Sequence, residues 1–304
     1  MRYRIAHTTH YMYAQPVKLH PHTLRLYPRS DGAQWLREFD ISLTPSPAQQ
    51  TYSLDIHGNT CLKLSFTQPL SSLRIETASE VTTHRDNPFD YLSEPWAVQL
   101  PIDYPSSVAN LLNPYWHSPI GQGVDEASAP AVVEIARQLK QAANNNVGFF
   151  LTQLTHYIPQ RLSYQLRLHG EPYTPSLTLE KGAGTCRDFA MLFVAVCRAV
   201  GLAARFVSGY QEGDLEGSLD GDLDDNLERD ATHDLHAWAE VYIPGGGWRG
   251  FDPTLGLAVS NRHIAIAAAP LPQQAAPVSG TLKPTVSGEV VKTTLENSIR
   301  IHKL

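Results

Sequence analysis

The stretch Gly182-Ala-Gly-Thr-Cys-Arg-Asp-Phe-Ala-Met-Leu192 decides the fold, because it places a cysteine at the start of an amphipathic helix. From Phe189 onward, apolar residues recur at the i, i+3, i+4, i+7 spacing of a helix that packs along one face. Thr185 is a favourable N-cap, and Asp188 three residues later gives a variant of the capping box. Gly201 suits the left-handed position that ends such a helix. The cysteine is therefore predicted to be the first helical residue.

Cys186 is a candidate nucleophile because of this position. Unsatisfied backbone N–H groups and the positive end of the helix dipole gather at a helix start, and both favour a thiolate over a thiol. Gly182 and Gly184 keep side-chain bulk away from the turn, so another chain can approach the sulfur. Cys197, on the same helix, reads instead as a small core residue.

A candidate base lies fifty residues downstream. His236-Ala-Trp-Ala-Glu-Val-Tyr-Ile243 alternates like a strand that begins at the histidine. Pro244-Gly-Gly-Gly247 predicts a turn, and Trp248-Arg-Gly-Phe-Asp252 predicts the returning strand. In an antiparallel hairpin the start of one strand lies beside the end of its partner, so we expect the Asp252 carboxylate to bond the His236 imidazole. The start of the helix would bring the cysteine to the other ring nitrogen.

Three motifs stand in order along the chain: Gly-x-Cys-Arg-Asp-Phe-Ala, His-Ala-Trp-Ala-Glu-Val and Trp-x-Gly-Phe-Asp-Pro-Thr. Over roughly 132–257 they resemble the core of the bacterial transglutaminase-like superfamily of papain-type cysteine enzymes. The resemblance implies a Cys-His-Asp triad, with Cys186 as nucleophile, His236 as general base and acid, and Asp252 as the residue that orients the imidazole. The chemistry that it implies requires no cofactor and no metal.

The first ninety residues are β-rich in character. Short alternating apolar segments are separated by turn residues, a pattern typical of an antiparallel sandwich or barrel. The segments 3–13, 26–29 and 55–59 also resemble the β domain that precedes the core in one bacterial subfamily. Five of the histidines in this region have a spacing that favours strand histidines over metal ligands: residues 7, 10, 20, 22 and 57.

The predicted fold class is α+β, with a β-sandwich or barrel-like domain followed by a papain-like core whose cysteine helix packs on an antiparallel sheet. A chain of 304 residues exceeds what one core usually sustains. The predicted division is a β-rich domain at 1–92, a proline-rich linker at 93–125 that wraps a surface, a catalytic core at 126–260 and a C-terminal extension with strands at 261–304.

Two aromatic residues are further candidates for lining the site. Tyr164 precedes the cysteine helix, where the family carries an aromatic or amide side chain, although a packed strand tyrosine is the alternative. Trp238 belongs to the histidine motif itself. His233 is a rival for the base, but its context indicates a loop.

Charge and composition bound the partners. The segment 212–230 carries nine acidic residues and one arginine, so the net charge of −6 leaves the remainder at about +2, which argues against nucleic-acid binding. We expect this segment to be a solvated insertion that covers the site or selects basic substrates. No run is apolar enough for a membrane span, no secretory signal is visible and the three cysteines show no disulfide framework, so a cytoplasmic location is expected.

The expected chemistry is acyl transfer through a thioester on a peptide or protein with an amide or glutamine-type side chain. Transfer to water makes a peptidase or amidase, which is slightly favoured, and transfer to an amine makes a transglutaminase. A binding or assembly module with a vestigial triad is an alternative from another class. A thiol–disulfide oxidoreductase would need a Cys-x-x-Cys pair, which the sequence lacks. The oligomeric state stays open.

Overall fold

The computed structural model describes residues 1–116, 126–167, 170–213, 235–285 and 291–304, which form a mixed α+β fold as predicted. The α-helices in these ranges are α1 (Ser106–Trp116), α2 (Pro130–Ala142), α3 (Val147–Arg161), α4 (Pro175–Lys181) and α5 (Cys186–Ala199). The strands up to α5 are β1 (Arg2–Leu19), β2 (His22–Leu24), β3 (Gln34–Thr44), β4 (Gln49–Leu54), β5 (Thr60–Ser65), β6 (Leu70–Thr83), β7 (Ser163–Tyr164) and β8 (Ala183–Gly184). Those after it are β9 (Ala204–Gln211), β10 (His236–Ile243), β11 (Gly247–Asp252), β12 (Leu257–Ala258), β13 (His263–Ala269), β14 (Val278–Ser279), β15 (Leu282–Pro284) and β16 (Thr293–Lys303).

The N-terminal strands form a two-sheet sandwich. One sheet runs β15-β1-β6-β3, with β16 also paired to β1, and the other runs β14-β2-β5-β4. Along β1 the odd-numbered side chains point inward, so Tyr3 and Ile5 are buried while their even-numbered neighbours are exposed. This period-2 burial is what an antiparallel sheet with one covered face requires. The predicted antiparallel β domain is therefore confirmed.

The core is a five-stranded antiparallel sheet, β12-β11-β10-β9-β13, against which α5 packs. Eleven of the fourteen residues of α5 are buried, so its apolar surface extends beyond the single stripe expected from the sequence. Phe193 stacks on Phe251 of β11 with ring centroids 5.7 Å apart. The same apolar cluster includes Phe150 and Leu154 of α3. Helix and sheet thus meet through large side chains, which fixes where α5 begins relative to the strands.

The segment after residue 260 divides between the two domains. β13 is an edge strand of the core sheet, whereas β14, β15 and β16 belong to the sandwich. β16 runs antiparallel to β1 over eleven paired positions, from Tyr3–Lys303 to Tyr13–Thr293. The C-terminus therefore completes the domain that the N-terminus begins.

The proline-rich stretch 93–125 contains a helix, α1, where the sequence predicted only a linker that wraps a surface. Leu112 of this helix is 5% exposed, and Tyr104 ahead of it packs against the core. The ring of Tyr104 meets Trp96 and Trp116 edge-on. The sequence did not predict this helix because prolines surround its short apolar face and prolines usually interrupt helices. Among the described residues, no helix combines the length and the apolar character that crossing a bilayer needs.

Two buried amide side chains of the sandwich hold the backbone of β13. Gln34 accepts from the Ala265 N–H at 2.7 Å and donates to its carbonyl at 2.9 Å. Asn59 makes the same pair of bonds with Ala268, both at 2.9 Å. The pairing of β13 with β9 is irregular between these two alanines. Because buried backbone groups need partners, the amides replace a missing neighbouring strand and tie the sandwich to the edge that starts with His263.

Candidate active site

The start of α5 has the geometry that the sequence predicted. Cys186 is the first residue of the helix, and the Asp188 carboxylate accepts a hydrogen bond of 2.8 Å from the Thr185 backbone N–H. A side chain at Gly184 would place its Cβ 2.8 Å from the Cβ of Asp188, so the turn requires glycine there. Gly201 has a φ of +83°, as expected for the end of the helix. The sulfur-bearing residue is 7% exposed and lines a cleft.

The hairpin of β10 and β11 brings the histidine and the aspartate together. In its register Ala239 pairs with Phe251, so Asp252 lies near His236 at the open end of the hairpin. The His236 Nε2 atom is 2.7 Å from Oδ2 of Asp252, whose side chain is fully buried. Oδ1 of Asp252 accepts the backbone N–H groups of Thr254 and Leu255, at 2.9 and 3.2 Å. The carboxylate is therefore oriented by the turn that follows its own strand.

His236 joins the carboxylate to the sulfur. Its imidazole interacts with Cys186 as well as with Asp252, and because Nε2 is engaged with Asp252, Nδ1 is the ring nitrogen left for the sulfur. Burial by itself lowers the pKa of His236, but the charge of Asp252 and the hydrogen bonds to Asp252 and Cys186 outweigh it and hold that pKa well above its ordinary value. Burial would raise the pKa of Asp252, yet the imidazoles around it hold that pKa well below its usual range.

A second histidine contacts the same carboxylate, and sequence analysis missed it. Nε2 of His263 lies 3.1 Å from Oδ2 of Asp252, and its side chain is 2% exposed. Its position at the start of β13 is not part of the hairpin, so no local pattern linked it to the site. The ring nitrogens of His236 and His263 and the Asp252 oxygen lie within 4.8 Å of one another, which is a spacing that a metal ion could also use. The two hydrogen bonds account for the spacing.

Of the two remaining predicted site-lining residues, one lies in the cleft with Cys186 and the other is buried behind it. Tyr164 lies beside Gly184 in a short parallel pairing and lines the same cleft as Cys186, with its ring 6.4 Å from that of Phe189. The prediction for Trp238 needs correction, because this residue is 1% exposed and packs behind the site against His263 and Gly209. The indole of Trp238 occupies the space that the absence of a side chain at Gly209 leaves behind the site.

The cleft over Cys186 has a volume of about 520 Å³, and besides residues 272–278 it is lined by three parts of the chain. The core contributes Phe206, Ser208 and His236, and the segment before α4 contributes Leu166, Arg167 and Pro172. The sandwich supplies the third wall through Thr9, Tyr11, Leu295 and Asn297. Tyr11 and Leu295 are directly opposite each other on the paired strands β1 and β16. The cleft that Cys186 lines is therefore bordered by residues of both domains.

The wall before α4 is fastened to the start of α5. We call its described residues, 165–167 and 170–173, the strap. Arg167 donates to both carboxylate oxygens of Asp188, at 2.7 and 2.9 Å, and the Tyr173 backbone N–H donates to Oδ1 at 2.6 Å. Arg187 donates to the carbonyls of Gly170 and Arg167. The two charged residues that follow Cys186 thus serve the helix start and the strap.

Two expectations lie outside the described residues. Residues 214–234 contain His233 and most of the acidic segment, so the structure describes neither the rival histidine nor the proposed cover of the site.

The fold and the site define a papain-like α+β protein with a cysteine at the start of its central helix and an imidazole–carboxylate pair beside it. The profile of the transglutaminase-like superfamily matches residues 133–253, and that of the bacterial transglutaminase-like N-terminal region matches residues 3–82. The chain belongs to the transglutaminase-like superfamily.

Several known proteins are similar to this chain in sequence, and one solved structure is similar to it in fold. An uncharacterized protein of Mycobacterium tuberculosis is 29% identical over 282 residues, which cover 87% of this chain and 82% of the relative. A protein-glutamine gamma-glutamyltransferase of Pseudomonas aeruginosa is 28% identical over 131 residues, covering 42% of this chain and 19% of that protein. A crystal structure of a candidate cysteine protease from Cytophaga hutchinsonii superimposes with a TM-score of 0.67 at 19% identity, covering the whole of this chain and 91% of that one. This last similarity shows the shared fold.

Proposed function

We propose that this protein is a cysteine-dependent enzyme that breaks amide bonds through a thioester on Cys186 and passes the acyl group to water. The observation that carries the proposal is the position of His236 between Cys186 and the buried carboxylate of Asp252, with Nε2 of His236 2.7 Å from that carboxylate. An imidazole whose pKa is held high beside a cysteine at a helix start favours a thiolate–imidazolium pair.

In the first half of the reaction the Cys186 thiolate attacks the amide carbonyl carbon. The oxygen gains the charge, and the Cys186 backbone N–H at the helix start is placed to donate to it. The His236 imidazolium gives its proton to the amide nitrogen as the C–N bond breaks, so an amine leaves and a thioester remains. Asp252 keeps the imidazole in the orientation that serves both partners.

In the second half neutral His236 removes a proton from water as the oxygen attacks the thioester carbon. The C–S bond then breaks, the carboxylic acid leaves and the sulfur departs as thiolate beside the reprotonated imidazole. The proton that His236 gives to the leaving amine is replaced by the one that it takes from water. No cofactor is needed for this sequence of steps.

The substrate that fits the cleft is a peptide or protein segment presenting an amide to Cys186. A volume of about 520 Å³ holds a few residues, and the walls offer Tyr11, Leu166 and Leu295 for apolar side chains. We also propose that the enzyme works in a reducing compartment such as the cytoplasm, because its three cysteines are free.

Transfer to an amine is a second candidate, and the similarity to the glutamyltransferase from Pseudomonas aeruginosa favours it. The same thioester would then be attacked by a lysine or another primary amine in place of water. The acceptor is selected by access to the thioester, because the three residues that form it are the same in both reactions. A non-catalytic module is disfavoured, since such a module needs no hydrogen-bonded Cys-His-Asp line.

The test is to trap the acyl-enzyme. The full chain is incubated with a library of glutamine- and γ-glutamyl-containing peptides, with and without a primary amine, and peptides carrying Cys186 are weighed by mass spectrometry. We expect an acyl adduct on Cys186 that decays to free acid, and no adduct with Cys186→Ala. Decay to the amide whenever amine is present would instead support the transferase, and no adduct under any condition would contradict both.

A further inference from the structure

The carboxylate of Asp252 serves two imidazoles through one oxygen. Oδ2 accepts from Nε2 of His236 at 2.7 Å and from Nε2 of His263 at 3.1 Å. His236 borders the cleft with 14% of its side chain exposed, whereas His263 is 2% exposed and does not line the cleft. The deeper histidine therefore reaches the reacting atoms only through Asp252.

The surroundings of His263 determine where its proton sits. Among the described residues, its Nδ1 atom is buried without a hydrogen-bond partner. A proton there would be a buried donor with nothing to bond, which costs more than leaving a bare ring nitrogen against apolar neighbours. The ring proton accordingly sits on Nε2 and points at Asp252. Trp238 holds the ring edge-on, with centroids 5.2 Å apart.

His263 also stays neutral while its neighbour takes the charge. Burial lowers its pKa more than the hydrogen bond and charge of Asp252 raise it, and the nearby charges of His236 and Arg262 lower it further. From α5, Cys186 is the titratable group that acts on His236. One carboxylate thus faces one imidazole that accepts a proton readily and one that does not.

We propose that His263 is a positioning residue whose neutral Nε2–H holds Oδ2 of Asp252 in line with His236. The inference rests on the proposed function, since it concerns how His236 is kept charged beside Cys186. Oδ1 of Asp252 is fixed by two backbone N–H groups, and His263 fixes Oδ2 in the same way. Without it, rotation of the carboxylate lengthens the bond to His236 and weakens the support of the imidazolium.

The same three atoms could instead bind a divalent cation such as zinc. Coordination through Nε2 of His263 would move the ring proton to Nδ1, where the described residues offer it no acceptor. Metal-bound histidines ordinarily donate that second N–H to a carboxylate, a carbonyl or water. The hydrogen-bonded role therefore fits the surroundings of His263 better.

The experiment compares His263→Gln, His263→Asn and His263→Leu in the full chain. The Gln amide nitrogen matches the reach of Nε2, the Asn amide stops short of it and Leu removes the donor. The rate constant for alkylation of Cys186 by iodoacetamide is measured from pH 5 to 10, with the site assigned by mass spectrometry and folding checked by circular dichroism and Tm. The wild type is also measured after treatment with a zinc chelator.

We expect His263→Leu to slow alkylation at neutral pH by roughly 10-fold or more, as lost supporting contacts do at other sites. The alkaline inflection of its pH–rate profile should move to lower pH by about one unit, since a weaker bond to Asp252 lowers the pKa of His236. His263→Gln should stay close to wild type, and His263→Asn should behave like His263→Leu, even if the Leu variant does not fold.

Three results would overturn the inference. They are a folded His263→Leu or His263→Asn variant with the wild-type profile, a folded Gln variant as slow as the Asn variant, or a wild-type profile that changes when metal is removed. Failure of the proposed function would give a different result, because wild-type Cys186 would then react no faster than free cysteine at any pH.

Discussion

Nε2 of His236 lies 2.7 Å from Oδ2 of Asp252, although the two residues stand sixteen positions apart on different strands. The aspartate is fully buried, while the histidine reaches the cleft. A buried carboxylate stabilises a neighbouring imidazolium strongly because little water screens the charge. This contact sets the pH range in which the site holds a charged pair.

Asp252→Asn should move the alkaline limb of activity to lower pH. The pKa of His236 is raised by the charge of Asp252 and lowered by burial, so removing the charge leaves burial dominant and the imidazolium is lost earlier. The rate should also fall by roughly 10⁴-fold at the optimum, as for the orienting aspartate of other triads. The pH profile of kcat/KM, measured with a peptide that forms the acyl-enzyme on Cys186, reports both the shift of the limb and the fall in rate. An unchanged limb in the variant would contradict this account of His236.

Tyr11→Ala should change substrate preference more than turnover. Tyr11 lies on the sandwich wall of the cleft and is paired with Leu295, whereas Cys186 and His236 belong to the core. Removing the ring should lower kcat/KM by roughly 10-fold for peptides with a large apolar side chain near the scissile amide, and less for glycine-rich ones. Tyr52→Ala, on the exposed strand β4, is the control that should change neither. Equal losses for all peptides would show that the sandwich does not contact substrate.

Arg167→Met should destabilise the protein and loosen the strap. Asp188 is fully buried, and Arg167 bonds both of its oxygens, so the variant leaves a buried carboxylate without its cation. We expect a loss of about 3 kcal/mol in the free energy of unfolding and a higher KM. The control is Arg137→Met, whose partner Glu134 is exposed, and there the loss should be much smaller because water screens the pair. Similar losses measured in urea would refute the anchoring role.

The protein should lose stability in mild acid through His7. This residue lies between the domains, where Nδ1 is 3.0 Å from the Tyr210 hydroxyl and Nε2 is 2.9 Å from the Thr9 hydroxyl. Burial lowers the pKa of His7 to about 4, below the ordinary value of 6.5. Between those values the unfolded chain binds a proton that the native state does not, so His7 stabilises the fold above pH 6.5 and this stability is lost as the pH falls.

The measurement is urea unfolding at several values between pH 7 and pH 4. His7 alone should contribute a slope of about 1.4 kcal/mol per pH unit within this window. His7→Gln should flatten the slope, and His302→Gln on the exposed end of β16 should leave it as in wild type. A wild-type slope in the His7 variant would assign the acid sensitivity to other groups.

Part of the fold was predictable because its patterns are local. The start of α5 at Cys186, its end at Gly201 and the hairpin of β10 and β11 follow from capping residues, apolar periodicity and turn glycines. Helix α1 was not predictable in this way, because prolines and polar residues obscure its short apolar face. The prediction for Trp238 was wrong because strand alternation indicates which face of the sheet a side chain occupies but not how deeply the side chain is buried there.

By itself the sequence determined that a cysteine begins a helix and that a histidine and an aspartate stand at the open end of one hairpin, since each depends on neighbours within a few turns of chain. Only the tertiary structure decided that His263 shares Asp252 and that Tyr11 of the sandwich walls the cleft. The physical reason is that β13 and β1 reach the site through long-range packing and through buried amides such as Asn59, whose partner Ala268 lies 209 residues away.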